Sequence, residues 1–82
     1  MREFFEQLGI TDKNILTKYL DNVQREAITI EMLAFLDSSN DNHVKILINY
    51  GFNQLTAIAM IKYSQKLEGE NLFKLLISMI TL

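Results

Sequence analysis

The sequence predicts an all-α fold, a compact bundle of five or six short helices joined by tight helix-turn-helix corners. Three observations carry this reading. Apolar residues recur at three- and four-residue spacing along almost the whole chain. No stretch alternates with the strand period, and no Asn-Gly or Asp-Gly hairpin signal occurs. Gly9 and Gly51 are each followed by an apolar residue and then by a side chain able to cap a new helix.

The chain has 82 residues, of which 49% are hydrophobic and 22% charged, so it reads as one globular helical domain over residues 1–82. Breaks fall at Gly9, near Ala27 to Thr29, at Ser38 to Asn40, at Gly51 and at Glu68 to Gly69. Helix one is expected over about Arg2 to Leu8, with Phe4, Phe5 and Leu8 on one face and Gly9 as its left-handed stop. Thr11 is then the expected cap of helix two, and Ile10 before it can staple against Ile15 inside. Helix two covers about Asp12 to Gln24, with Ile15, Leu16, Tyr19, Leu20 and Val23 as its buried stripe. Lys13, Asn14, Lys18, Asp21 and Asn22 form its solvated face.

Helix three follows Thr29 over about Ile30 to Leu36, with Ile28 stapled against Leu33. Met32, Leu33, Phe35 and Leu36 leave it little polar face, which predicts a central position. Ser38-Ser39-Asn40-Asp41 is the clearest loop. Helix four covers about Asp41 to Tyr50, and Gly51 ends it so that Phe52 can fold back on Leu47. Asn53 caps helix five, about Gln54 to Leu67, in which Ala57 and Ala59 permit close approach. Glu68-Gly69-Glu70 reads as a break before helix six, about Glu70 to Thr81.

Composition removes most catalytic chemistry. There is no cysteine, hence no disulfide framework, thiolate metal site or cysteine nucleophile, and there is one histidine. Asp37-Ser38-Ser39-Asn40-Asp41-Asn42-His43 gathers an acid, hydroxyls and an imidazole. A catalytic triad, however, is assembled by the fold from residues far apart in sequence, so this stretch reads as a capped loop. Asp37, Ser39 and Asp41 imitate the start of a calcium loop, but Asn42 replaces its glycine and Ile48 its bidentate glutamate. Asp37-Ser38 matches the start of the phosphopantetheine motif of acyl carrier proteins, and Ser39 stands where that motif has leucine. Three isolated glycines make no phosphate loop. The expectation is a non-enzyme without metal or cofactor.

Net charge is −2, and the eight basic residues are scattered singly, which disfavours a nucleic-acid partner. The alternative that keeps nucleic acid open is a replication or transcription factor reading DNA from the Gly51 corner, with Gln54, Thr56, Lys62 and Lys66 on the second helix. In such a unit Ala57 suits its position, whereas Leu47 is large for the tight one. From Tyr50 to Ile80 the chain resembles in part the helical module of Gram-positive primosomal proteins, through Tyr50-Gly51-Phe52, Ile61 with Tyr63, and Phe73 with Ile77. That resemblance implies replication and DNA binding, and Thr81 stands in place of the tryptophan that closes the module. Gly51-Phe52 with Ala57, Met60 and Ile61 is similar to ubiquitin-associated domains, which bind partner surfaces through the Gly-Phe turn.

The most telling segment is the last. Leu72 to Leu82 holds one charge, Lys74. Such a helix is central in the fold, buried against a partner or in contact with a membrane surface. No segment is long and apolar enough to span a bilayer. Leu72, Phe73, Leu76, Met79 and Ile80 are the candidate partner-binding residues. The expected function is a small regulatory or adaptor protein that binds another protein or itself, as a homodimer, through an apolar helical face. A cytoplasmic location is expected from the lack of a signal-peptide pattern at the start, the absence of cysteine being equally compatible with secretion, and the AT-rich codon bias suggested by the composition fits a phage, plasmid or bacterial origin.

Overall fold

The computed structural model describes residues 1–80. Among these, five helices and no strands are found: α1 (Arg2–Gln7), α2 (Lys13–Arg25), α3 (Ile30–Ala34), α4 (Asp41–Asn49) and α5 (Gln54–Ile80). The all-α class is therefore the observed one.

One device makes three of the four connections. After α1, Gly9 has φ +85°, its N–H donates to Glu6 O, and the N–H of Ile10 donates back to Phe5 O at 3.1 Å. After α4, Gly51 has φ +102°, its N–H reaches Ile48 O, and the N–H of Phe52 reaches Leu47 O at 3.1 Å. After α2, Ala27 takes the same role at φ 51°, with its N–H on Gln24 O and the N–H of Ile28 on Val23 O at 3.0 Å. Each pair of bonds satisfies carbonyls that the helix end leaves without partners, and each folds an apolar residue back against the last turn. The returning residues Ile28 and Phe52 are buried and Ile10 is half-buried.

The caps follow directly. Asp12, not Thr11, caps α2: its carboxylate accepts from Asn14 N at 2.8 Å and Ile15 N at 3.2 Å. An ionised carboxylate outcompetes the neighbouring hydroxyl because it also faces the positive helix end. The cap moves by one residue, and Ile15, at the edge of the stripe formed by Leu16, Tyr19 and Val23, is 45% exposed instead of joining it. Thr29 caps α3 through Met32 N, Asn40 caps α4 through Asn42 N and His43 N, and Asn53 Oδ1 accepts from Thr56 N at 2.8 Å.

The core gathers Phe4 and Phe5 of α1, Leu16, Tyr19 and Val23 of α2, Ile28, Leu33, Val44, Leu47 and Phe52, and Ala57, Met60 and Ile61 of α5. Its centre is aromatic: Phe5 lies 5.7 Å from Tyr19 and 6.1 Å from Phe52, ring centre to ring centre, and Tyr19 lies 4.9 Å from Phe52. Phe4 stacks on Tyr63 at 5.2 Å, tying α1 to α5.

Several sequence expectations need correction. Asn22 is buried, not solvated. Its Oδ1 accepts from Arg25 Nη2 at 3.0 Å, and its amide packs into the space left by the missing side chain of Gly51. Helix α3 is peripheral on one side: only Leu33 is fully buried, while Met32 and Phe35 face solvent.

The largest correction concerns residues 68–70. The chain does not break there, and α5 runs unbroken for 27 residues. Gly69 shows no left-handed φ. It is followed by Glu70 and Asn71, so no apolar residue is available to fold back as Ile10, Ile28 and Phe52 do. The helix continues through Gly69 at a cost of about 1 kcal/mol relative to alanine, which the helix-forming residues on either side offset. The bundle thus has five helices, one of them long. With that helix projecting, the molecule measures 46 × 28 × 21 Å. Thr81, the expected end of helix six, and Leu82 lie outside the described residues.

Candidate functional site: the projecting half of α5

Helix α5 has two halves with different surroundings. In the first half Ala57, Met60, Ile61 and Ser64 form the row that seals the core. The Ser64 hydroxyl is buried there without a hydrogen-bond partner. Next to this row stand Gln65 and Glu68, which meet the end of α3. Gln65 Nε2 donates to Leu36 O at 2.6 Å, with Ala34 O at 3.5 Å, closing carbonyls at the end of α3. Glu68 borders a shallow groove with Glu31, Ala34 and Phe35.

Helix α3 is only five residues long and stops there. The face of α5 that it covers does not stop. Residues 65, 68, 72, 76 and 79 follow one another at spacings of three and four, so they share one side of the helix. Beyond Glu68 that side is Leu72, Leu76 and Met79, which are 59%, 49% and 66% exposed. Phe73 and Ile80 widen it, at 63% and 82%. The five candidate partner-binding residues therefore share one broad arc, and none of them belongs to the core of the chain.

The arm is less uniform than its composition suggests. Glu70, Asn71, Lys74 and Ser78 also recur at helical spacing and make a polar stripe opposite the apolar arc. The apolar direction turns by roughly a third of a revolution between the core row and the arm. A straight helix cannot bury both directions against one core, and this is why the arm stands clear of the body.

Phe35 counts in the sequence toward a central helix three, not toward a site. It sits at the foot of the arm, beside Glu68, and is 88% exposed. Only its place outside the three- and four-residue row of Ile30 and Leu33 hints at this.

The alternative DNA-reading residues do not form one surface. Lys62 and Lys66 are exposed one turn apart on α5, whereas Thr56 is half-buried and falls on another side, and Gln54 stands at the exposed helix start. Leu47, at the tight position before Gly51, is fully buried.

The polar segment 37–43 is closed on itself. The N–H of Asp37 donates to His43 Nδ1 at 2.9 Å, and the Asp37 carboxylate accepts from the Ser39 hydroxyl at 2.7 Å and the Ser39 N–H at 2.9 Å. The Ser39 hydroxyl, its N–H and, more weakly, His43 hold the Asp37 carboxyl below its ordinary value of 3.8, against a small opposing effect of desolvation. With Nδ1 occupied by a backbone N–H and Asp37 engaged by Ser39, these groups serve the loop. Among the described residues no group of three or more His, Asp or Glu side chains could hold a metal ion, and no helix is long and apolar enough to cross a membrane.

Comparison with protein families, with curated proteins and with solved structures finds no match to the chain.

Proposed function

We propose that the protein is a non-enzymatic binding module, a regulator or adaptor that engages a protein partner through the apolar arc of the projecting half of α5. One observation supports this above the others. The row Gln65, Glu68, Leu72, Leu76, Met79 is covered by α3 at its base and bare beyond it. Large contiguous apolar patches on small proteins mark interaction sites, and an apolar row on a rigid helix is the form in which helices dock into grooves or bundles. The polar stripe of Glu70, Lys74 and Ser78 keeps the far side of the arm wetted while the apolar side is occupied.

The test is affinity capture from cells that encode the protein, using wild-type and Phe73→Glu baits, with and without nuclease. A protein recovered stoichiometrically by the wild type, retained after nuclease and lost with Phe73→Glu supports the reading. Equal recovery by both baits overturns it. So does recovery that depends on nucleic acid and falls with Lys62→Glu or Lys66→Glu, which would move the function to the Gly51 corner. Circular dichroism of Phe73→Glu should match the wild type, because Phe73 lies outside the core.

A further inference from the structure

We infer that the partner of the arm is a second copy of this chain, with two α5 arms paired antiparallel so that the tip of each closes on Phe35 of the other. This rests on the binding role proposed above for the arm and names its occupant.

The argument starts from the step at the end of α3. The face of α5 carrying Gln65 and Glu68 is occupied up to Leu36, and Leu72, Leu76 and Met79 continue it without cover. A helix laid on that continuation runs along Leu72 to Met79 and ends against the exposed ring of Phe35 at the foot. What is required of that helix is an apolar row about eighteen ångströms long, the length of twelve helical residues, without charge on the contacting side. The arm itself has this length and this row. The only charged side chain beyond Glu70, Lys74, lies on the polar stripe, so the charges near the contact are those at the foot, Glu31 and Glu68, which border the groove beside Phe35.

A two-fold operation then covers both exposed features at once. With the arms overlapping over residues 69–80, the tip of one reaches the level of Glu68 in the other, which is where Phe35 stands. A parallel pairing would put tip against tip and foot against foot, setting the Glu68 carboxylates of the two copies against each other. Two-fold contacts of this kind are the commonest way in which identical chains associate. The exposed area is sufficient: the five arm residues with Phe35 expose on the order of 800 Å², the most that each copy could bury with them and comparable to one partner's share of a standard interface. The arc spans more than the seam of a two-stranded coil, and Phe35 fills the part of it that the opposing arm alone would leave open.

Sedimentation of the purified full chain from about 1 to about 200 μM tests the pairing, because association follows mass action. The expected result is a dimer of twice the 9.5 kDa chain mass. Leu76→Glu should weaken it by at least about tenfold and leave the melting of the body unchanged. Phe35→Glu, on a different helix, should do the same, and it decides the matter if Leu76→Glu fails to fold. Orientation is read by mixing two single-cysteine chains, Glu68→Cys and Met79→Cys. Antiparallel arms yield the mixed disulfide, whereas parallel arms join each variant to itself and overturn the geometry. A monomer at the highest concentration, or a dimer indifferent to both glutamates, overturns the self-pairing. If the chain is monomeric yet the wild-type bait still captures a protein that Phe73→Glu loses, self-pairing fails and the binding role stands. If that capture fails too, both fall.

Discussion

The side-chain amide of Asn22 occupies the space where Gly51 has no Cβ: a methyl group there would lie 2.6 Å from Asn22 Nδ2. The contact joins the last turn of α2 to the corner between α4 and α5. Gly51 is thus held by two independent requirements, its φ of +102° and the approach of Asn22. Gly9 has only the first, since nothing lies within 4 Å of its Cβ position. Gly9→Ala should cost about 1–2 kcal/mol, the strain of a left-handed alanine. Gly51→Ala should cost at least about 1 kcal/mol more. Urea denaturation of both, together with Asn22→Ala in the Gly51→Ala background, separates the two effects. Equal losses at Gly9 and Gly51 would mean that Asn22 yields freely.

Ala27 performs the same backbone task without being glycine. At φ 51° its Cβ is strained by about 1–2 kcal/mol, and glycine would relieve this while adding some freedom to the unfolded chain. Ala27→Gly should therefore stabilise the protein by about 0.5–1 kcal/mol. A rise in the urea midpoint with unchanged slope is the expected observation; a fall would show that the methyl group contributes packing that outweighs its strain.

Gly69 is the opposite case, a glycine in a helical conformation with open space around it. Gly69→Ala should raise the helicity of the arm and stabilise it by about 1 kcal/mol. Amide exchange at residues 70–80 should slow while exchange in α2 stays as it was. Faster exchange in the arm would mean that the helix needs its glycine.

The Asp37 carboxyl is depressed in the folded chain, mainly by the Ser39 hydroxyl. The sign follows from linkage: a carboxyl with a lowered folded-state value adds stability above its unfolded value and loses it as pH falls through the folded one. The loop at 37–43 should thus hold its contribution above about pH 4 and surrender it progressively below. Ser39→Ala removes the main cause and should bring the Asp37 titration, followed by carboxyl NMR, back toward 3.8. An unchanged titration would assign the depression to the backbone N–H alone.

The corners were legible because their chemistry is local. Gly9-Ile10 and Gly51-Phe52 announce a helix stop, an apolar residue that returns to the last turn, and a cap close behind. The same grammar with Ala27-Ile28-Thr29 was visible only as a break, since alanine gives no sign of a left-handed φ. Gly69 misled for a related reason: glycine alone does not end a helix, and without an apolar follower the chain gained nothing by turning. Asn22 was out of reach of any reading along the chain, because its burial depends on a glycine 29 positions away. The apolar character of the arm was legible and its exposure was not. Composition reports how apolar a helix is, while the turn of the apolar direction between Ile61 and Leu76 matters only once both lie on one unbroken rod.

That unbroken rod also makes the tip a lever. Ile61 and Ser64 are clamped in the core, and Ile80 stands roughly 24 Å further along the same axis. A tilt of about 5° at the clamp sweeps the tip through about 2 Å, enough to bring an apolar side chain out of register with its seat. On the binding role proposed for the arm, tightness at the tip would depend on stiffness at the root, and a substitution in the aromatic centre, far from the arm's apolar arc, would loosen it.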